Sequence, residues 1–398
     1  MNILLWRAWS PLYGHPATFS CLDSHSIGGT CSQLLWHARS LVSLGHSVQV
    51  LGVCRTSMHE EGVEFIGASD KSEQEQLLRS HRLNRPEVIF LEGGFGAAPL
   101  LKEHFPKACV VHVGQNIDRF GAERAWKMDS WIDLYAFVSP GHHSHYCITK
   151  AHVRHKFVLL RNVVPWQSLY RDLAMGPVED KVVWVGAWTK KGLRAWAETM
   201  EKVLAEFPAI RWELYGPCHG LNAGGFPSHV FQGLQLPAER VHVQDLPLAA
   251  LARSLATARV VLVSLGNETA CISALDGHAA SRPVLSGNDM VFKFNNPEST
   301  GIRVFRREER YRALTFLLRN PALCDKLGTS GRTFIAAERT EANQAHDLAM
   351  ILCYSEMLRD GGLSADYVAP GPIEDSFSYI RERIQRKWPR QSSLLQAP

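Results

Sequence analysis

Apolar positions recur along the chain in two alternating rhythms. Short aliphatic or β-branched runs at Ile3–Trp6, Val48–Val53, Val88–Leu91, Cys109–Val113, Tyr135–Val138 and Phe157–Leu160 are separated by stretches whose apolar residues fall at helical spacing. The first unit sets the pattern: a run (ILLW), a polar loop with glycines to Thr30, then Leu34, Ala38, Leu41 and Leu44 on one face, closed by Gly45. Strands separated by helical segments predict a parallel, doubly wound sheet. The rhythm lapses over Pro165–Glu179, where two prolines fall close to a glycine. It resumes with Val182–Val185, a helix carrying Leu193, Trp196, Met200 and Val203, and strands at Trp212–Tyr215, Val241–Val243 and Val260–Val263. Two Rossmann-like halves facing a central cleft are expected, with ligands bound at the loops that follow the strands.

A length of 398 residues agrees with two cores rather than one. The expected domains are residues 1–168 and 169–365, followed by a break at Asp360–Pro372 and a tail, 366–398, whose Ile373, Phe377, Ile380 and Ile384 predict a helix. Hydrophobic residues make up 45% and charged residues 21%, and no apolar stretch approaches the roughly 20 residues of a bilayer span, which excludes an integral membrane protein and a disordered chain. The net charge of +4 is too slight for a dedicated nucleic-acid binder but is compatible with anionic small molecules. Met1–Trp6 lacks a basic leader region and reads as a first strand, and nine cysteines without a C-x-x-C pair indicate a reduced, cytoplasmic chain without a zinc ribbon. His142, His143 and His145 have no carboxylate or cysteine partner at ligand spacing, so no metal site is expected.

The stretch Val260–Leu285 carries the most chemistry. A buried strand ends at Ser264, a polar loop carries Glu268, a helix is expected from about Thr269, and Pro283 starts the next strand. The amides of Thr269, Ala270, Cys271 and Ile272 would then sit at the helix's positive end, a place for a diphosphate. Glu268 and Asp276 fall about two turns apart on one side, where each can accept hydrogen bonds from sugar or ribose hydroxyls.

This segment resembles the E-x7-E segment of retaining glycosyltransferases with the GT-B fold, especially glycosyltransferase family 4, with Asp276 where the family usually has a second glutamate. The resemblance implies that Glu268 contacts the donor sugar and Asp276 the ribose of the nucleotide. Other parts follow in the family's order. Gly28, Gly29 and Thr30 look like the glycine-rich loop that approaches the donor phosphates, and His112 like the histidine that ends a strand and faces the donor sugar. Ser139 and the turn Arg161–Val164 also match in place. Gly186 followed by Lys191 and Gly192 resembles the family's glycine-arginine and lysine-glycine motif. A nucleoside diphosphate gains negative charge as it leaves, and a fixed cation there lowers the barrier without a metal. Lys191 is the candidate, with Lys190 in reserve. Ala187 stands where the family has its arginine, so Arg194, Arg161 or Lys190 would have to substitute.

The resemblance thus implies a GT-B α/β fold whose C-terminal helix (366–398) packs back on the N-terminal domain. It implies a hexosyltransferase-type enzyme that moves a sugar from a nucleotide diphosphate sugar, UDP-sugar or GDP-sugar first, to a hydroxyl or amine acceptor. Retention at the anomeric carbon and the absence of a metal or separate cofactor follow from the family. Loops 10–27, 93–99 and 115–127 would choose a small polar acceptor, and the basic end Arg381–Arg390 leaves weak peripheral contact with a membrane surface open. Two alternatives remain at this point: a sugar-nucleotide epimerase on the same fold, and a non-catalytic nucleotide-sugar binding protein, which the departures at Ala187 and Asp276 would suit.

Overall fold

A computed structural model describes residues 1–8, 17–22, 29–80, 82–115, 128–149, 151–186, 192–216, 228–266, 269–287, 292–304 and 306–361. The chain divides into two compact units, one of residues 1–19, 33–161 and 342 onward, the other of residues 20–32 and 162–341. The changes of unit at 161/162 and 341/342 precede the expected boundaries at 168/169 and 365/366. The tail helix expected over 366–398 lies outside the described residues.

The first unit is built on strands β1 (Asn2–Arg7), β2 (Ser47–Leu51), β3 (Met58–Glu60), β4 (Val63–Ile66), β5 (Val88–Glu92), β6 (Cys109–Gly114), β7 (Leu134–Phe137) and β8 (Phe157–Leu159). They form one sheet in the order β3-β4-β2-β1-β5-β6-β7-β8, parallel throughout except for β3 against β4. Its helices include α1 (Gly29–Ser43), which begins among the residues of the second unit, α2 (Lys71–Arg79), α3 (Ala98–His104) and α4 (Pro140–Thr149). The central strands are buried along their length, Val88–Glu92 at every position, because helices cover both faces of such a sheet.

The second unit carries β9 (Lys181–Val185), α5 (Leu193–Glu206), β10 (Arg211–Tyr215), β11 (Val241–Gln244), α6 (Leu248–Ala256), β12 (Val260–Leu262), α7 (Ile272–Ala279), β13 (Val284–Gly287), β14 (Gly301–Val304), α8 (Arg307–Arg319) and α9 (Pro321–Glu338). Its sheet is all parallel in the order β11-β10-β9-β12-β13-β14. Alternate residues feed two cores. Val182, Trp184, Val260 and Leu262 pack with Trp196 and Met200 of α5, whereas Val183, Val185, Val261 and Val263 pack with Leu275 and Ala279 of α7 and with Tyr170.

A last helix, α10 (Glu341–Arg359), returns the chain to the first unit. Leu348, Ile351 and Leu352 are buried. Buried Asp347 accepts from the Arg161 backbone N–H at 2.9 Å and from its Nε and Nη2 at 2.9 and 2.7 Å. Burial alone would raise the Asp347 pKa, but the bonds from Arg161 and His346 outweigh it and the net shift is downward.

Candidate functional site

In the second sheet the chain winds outward from β9 to β11 and then crosses to β12, so the topological switch point lies between the carboxyl ends of β9 and β12. Ligands of open α/β sheets bind in that crevice because the strand ends leave diverging loops there. Three segments of this chain meet at it. Gly186 follows β9 and donates its N–H to the Tyr215 carbonyl at 3.0 Å. Gly192 caps the start of α5 at φ 78°, a left-handed backbone that favours glycine, and a Cβ on it would stand 3.0 Å from Leu265 Cδ1. The turn after β12 starts at Ser264, whose Oγ donates to the Gly266 carbonyl at 3.0 Å. The indole of buried Trp196 donates to the Val263 carbonyl at 2.7 Å and so pins the end of the strand that carries this turn.

The helix expected from Thr269 begins later. Cys271 is its N-cap at φ 43°, ψ 71°, and α7 starts at Ile272. The left-handed residue breaks helical continuity, so Thr269, Ala270 and Cys271 form a buried turn ahead of the helix and only Ile272 of the expected four stands at its positive end. The first amides bonded back to the turn are those of Ala274 and Leu275, both to the Cys271 carbonyl at 2.9 and 3.4 Å. The helix-end amides are therefore those of Ile272 and Ser273. A left-handed non-glycine residue stores strain of about 1–2 kcal/mol. Cys271→Val keeps an apolar side chain in this buried site but adds a branch at Cβ, which this backbone tolerates worst. We expect it to lower stability by about 1–2 kcal/mol more than Cys271→Ala does, read from urea midpoints at unchanged slope; equal losses would contradict the strain.

Asp276 lies one turn into α7 with 5% of its surface exposed. Its Oδ1 accepts from the Tyr170 hydroxyl at 2.8 Å. Burial pushes its carboxyl up to about 7, the Tyr170 bond opposing that rise in part. Two residues further on, fully buried His278 is pushed down to about 4 by burial, against the hydrogen bonds that favour its charged form. Gly29 reaches the same helix: a Cβ on it would stand 3.2 Å from Ile272 Cγ1. Within the second unit the structure thus brings Gly29 against Ile272, sets Gly186 at the end of β9 beside β12, and places Asp276 one turn into α7.

Other candidate residues lie elsewhere on the fold than the sequence pattern predicts. Gly29 and Thr30 are the first residues of α1 rather than a loop, since the helix runs from Gly29. His112 does not end its strand, because β6 continues to Gly114. Its ring lies edge-on to Phe95 and Tyr135 in the first unit, both centroids at 6.0 Å. Of the proposed substitutes for the missing arginine, Arg194 is engaged by the Val230 and Gln232 carbonyls at 2.9 and 2.7 Å, and Arg161 by Asp347. Gly28, Ala187, Lys190, Lys191 and Glu268 lie outside the described residues. Among the described residues, no three His, Cys, Asp or Glu side chains are grouped to hold a metal ion, and no helix is long and apolar enough to cross a membrane.

No protein-family model and no curated protein matches the chain. Solved structures do. A sucrose-phosphate synthase from Thermosynechococcus elongatus superposes with a TM-score of 0.68 at 16% identity, covering 90% of this chain and 100% of that one. A glycosyltransferase from Rickettsia africae gives 0.66 at 14%, covering 90% and 98%. The Anabaena protein HepE, solved with UDP-glucose, gives 0.66 at 11%, covering 89% and 100%. The chain has the GT-B fold, the fold of the glycosyltransferases among its structural neighbours.

Proposed function

We propose that the protein is a GT-B glycosyltransferase of the retaining type, binding a nucleotide diphosphate sugar at the switch point of its second unit. What supports this best is that Gly186, the Ser264–Gly266 turn and the strained Cys271 cap all follow the neighbouring parallel strands β9 and β12, whose carboxyl ends flank the switch point. The GT-B glycosyltransferase neighbours support the reaction class.

In the proposed reaction the bond between the anomeric carbon and the diphosphate oxygen breaks. The acceptor oxygen or nitrogen bonds to the same face of that carbon, and its proton passes to the departing phosphate. The nucleoside diphosphate leaves with the bonding electron pair. Lys191, with Lys190 in reserve, would stabilise that charge together with the amides of Ile272 and Ser273, Glu268 would hold the sugar hydroxyls, and Asp276 the ribose. Gly28, Gly29 and Thr30 would approach the phosphates, and His112 the donor sugar. The proposal needs no metal or separate cofactor, a UDP- or GDP-sugar is the first choice of donor, a small polar molecule is the acceptor, and the compartment is the cytoplasm.

A thermal-shift screen against UDP, GDP, ADP and dTDP and their sugar conjugates tests it. A ligand at 100 times its dissociation constant adds roughly 2.7 kcal/mol of stability. We expect one nucleotide to shift the melting point selectively, and Glu268→Ala and Lys191→Ala to lose transfer while still folding. No shift with any nucleotide, or near-normal transfer in both variants, would overturn the reading. Tight binding of a nucleotide sugar without transfer to a broad acceptor panel would leave a binding protein instead.

A further inference from the structure

The segment 166–171, just past the first change of unit, supplies a residue that no part of the sequence pattern connects with the donor site. Tyr170 is fully buried in the core of Leu275, Ala279 and Ile335, and its hydroxyl reaches Asp276 Oδ1 at 2.8 Å across a separation of 106 residues. Its backbone is held independently. On α9, Arg332 donates Nη2 to the Tyr170 and Arg171 carbonyls at 2.7 and 2.8 Å and Nη1 to the Ala279 carbonyl at 2.9 Å, with its guanidinium 5.0 Å over Trp166. The turn and helix α7 are therefore clamped together twice, once through Arg332 and once through the phenol.

This matters because of the aspartate. A carboxylate one methylene shorter than glutamate sits closer to the helix axis and reaches less far, so fixing its rotation in advance lowers the cost of serving a ligand. A single hydrogen bond from a ring that cannot move fixes it: Tyr170 takes Oδ1 and leaves Oδ2 the freer oxygen. The geometry points to Tyr170 as a positioning residue of the donor site, orienting the Asp276 carboxylate toward the ribose hydroxyls of a bound nucleoside diphosphate. The inference rests on the donor-site reading above and adds to it a residue and the part of the ligand it serves.

Tyr170→Phe removes one oxygen and leaves the ring, its core and the Arg332 clamp in place. The experiment measures by calorimetry the binding of whichever nucleoside diphosphate shifts the wild type, and of its 2′,3′-dideoxy counterpart, to wild type and Tyr170→Phe. A hydrogen bond of ordinary strength makes the expected loss about three- to ten-fold for the ribonucleotide. For the dideoxy nucleotide, which offers no hydroxyl to the carboxylate, wild type and variant should bind alike. Equal losses for both nucleotides, or none for either, would assign the Tyr170–Asp276 bond to structure alone and overturn the inference while leaving the donor site standing. Absence of binding by any nucleotide to the wild type would instead overturn the donor-site reading, and this inference with it.

Discussion

Asp276→Asn is expected to raise stability at pH 8 by on the order of 4 kcal/mol while weakening the nucleotide binding proposed above. The carboxyl is pushed from its ordinary 3.8 up to about 7, by burial first, with the Tyr170 bond opposing in part. A group whose pKa is raised on folding favours the folded state below its unfolded value and loses that advantage as pH rises through the folded one. Above about pH 7 the native protein therefore holds a buried carboxylate at its full energetic penalty. Asparagine keeps an acceptor for the Tyr170 hydroxyl and carries no charge. The stability difference between variant and wild type should grow from near zero at pH 4 to its full value at pH 8, in urea titrations at several pH values. A difference flat in pH would contradict the burial of the charge.

His278 gives that experiment a second reading. Its pKa falls from 6.5 to about 4, by burial before any other cause, so its contribution is fully present above pH 6.5 and is lost as pH falls through 4. Between about pH 4 and 6.5 the unfolded chain carries a proton on His278 and the folded chain one on Asp276. Proton counts match, so the pair adds no slope to wild-type stability in that window. Asp276→Asn removes the match and exposes the histidine, giving stability that rises with pH by about 1.4 kcal/mol per unit over the window. Burial of this carboxyl lowers stability above about pH 7, a cost that the ribose contact proposed above would account for.

The sequence made the strands legible where both faces are covered, because burial on two sides writes an unbroken apolar run, as at Val182–Val185 and Val88–Leu91. The hairpin β3–β4 was not legible. Met58–Glu60 and Val63–Ile66 lie at the sheet edge, where exposed positions such as His59 and Glu64 break the run. The onset of α7 is not legible because nothing about a cysteine signals a left-handed cap: the helical spacing of Ile272, Leu275 and Ala279 marks the helix, but the three residues before it are equally able to begin it by type. The partners of Arg194, Arg161 and Asp276 lie 36, 186 and 106 residues away, distances at which spacing carries no information. Motif order could therefore nominate Asp276 but not the hydroxyl that holds it.

Gly287→Ala is the second large effect, and it separates the floor of the crevice from the residues above it. Gly287 ends β13 and donates its N–H to the Ser264 carbonyl at 3.1 Å. A Cβ there would lie 2.0 Å from the Leu265 carbonyl oxygen and 2.3 Å from its carbonyl carbon. Those atoms belong to backbone, so no side-chain rotation relieves the clash, and either β13 or the Ser264–Gly266 turn must move. Overpacking usually costs 1–3 kcal/mol and more where the obstacle is rigid, so a loss of about 3 kcal/mol or more is expected. Gly266→Ala, one residue along the same turn, is the control: a Cβ there meets nothing within 4 Å, and near-wild-type stability is expected. If the turn moves rather than the strand, Gly287→Ala also displaces the approach to Thr269 and Cys271, and the melting-point shift with nucleotide should shrink even at a temperature where the variant is folded. A variant as stable as wild type would show that the turn does not rest on β13, and the crevice would then lack the rigid floor that a preorganised diphosphate site needs.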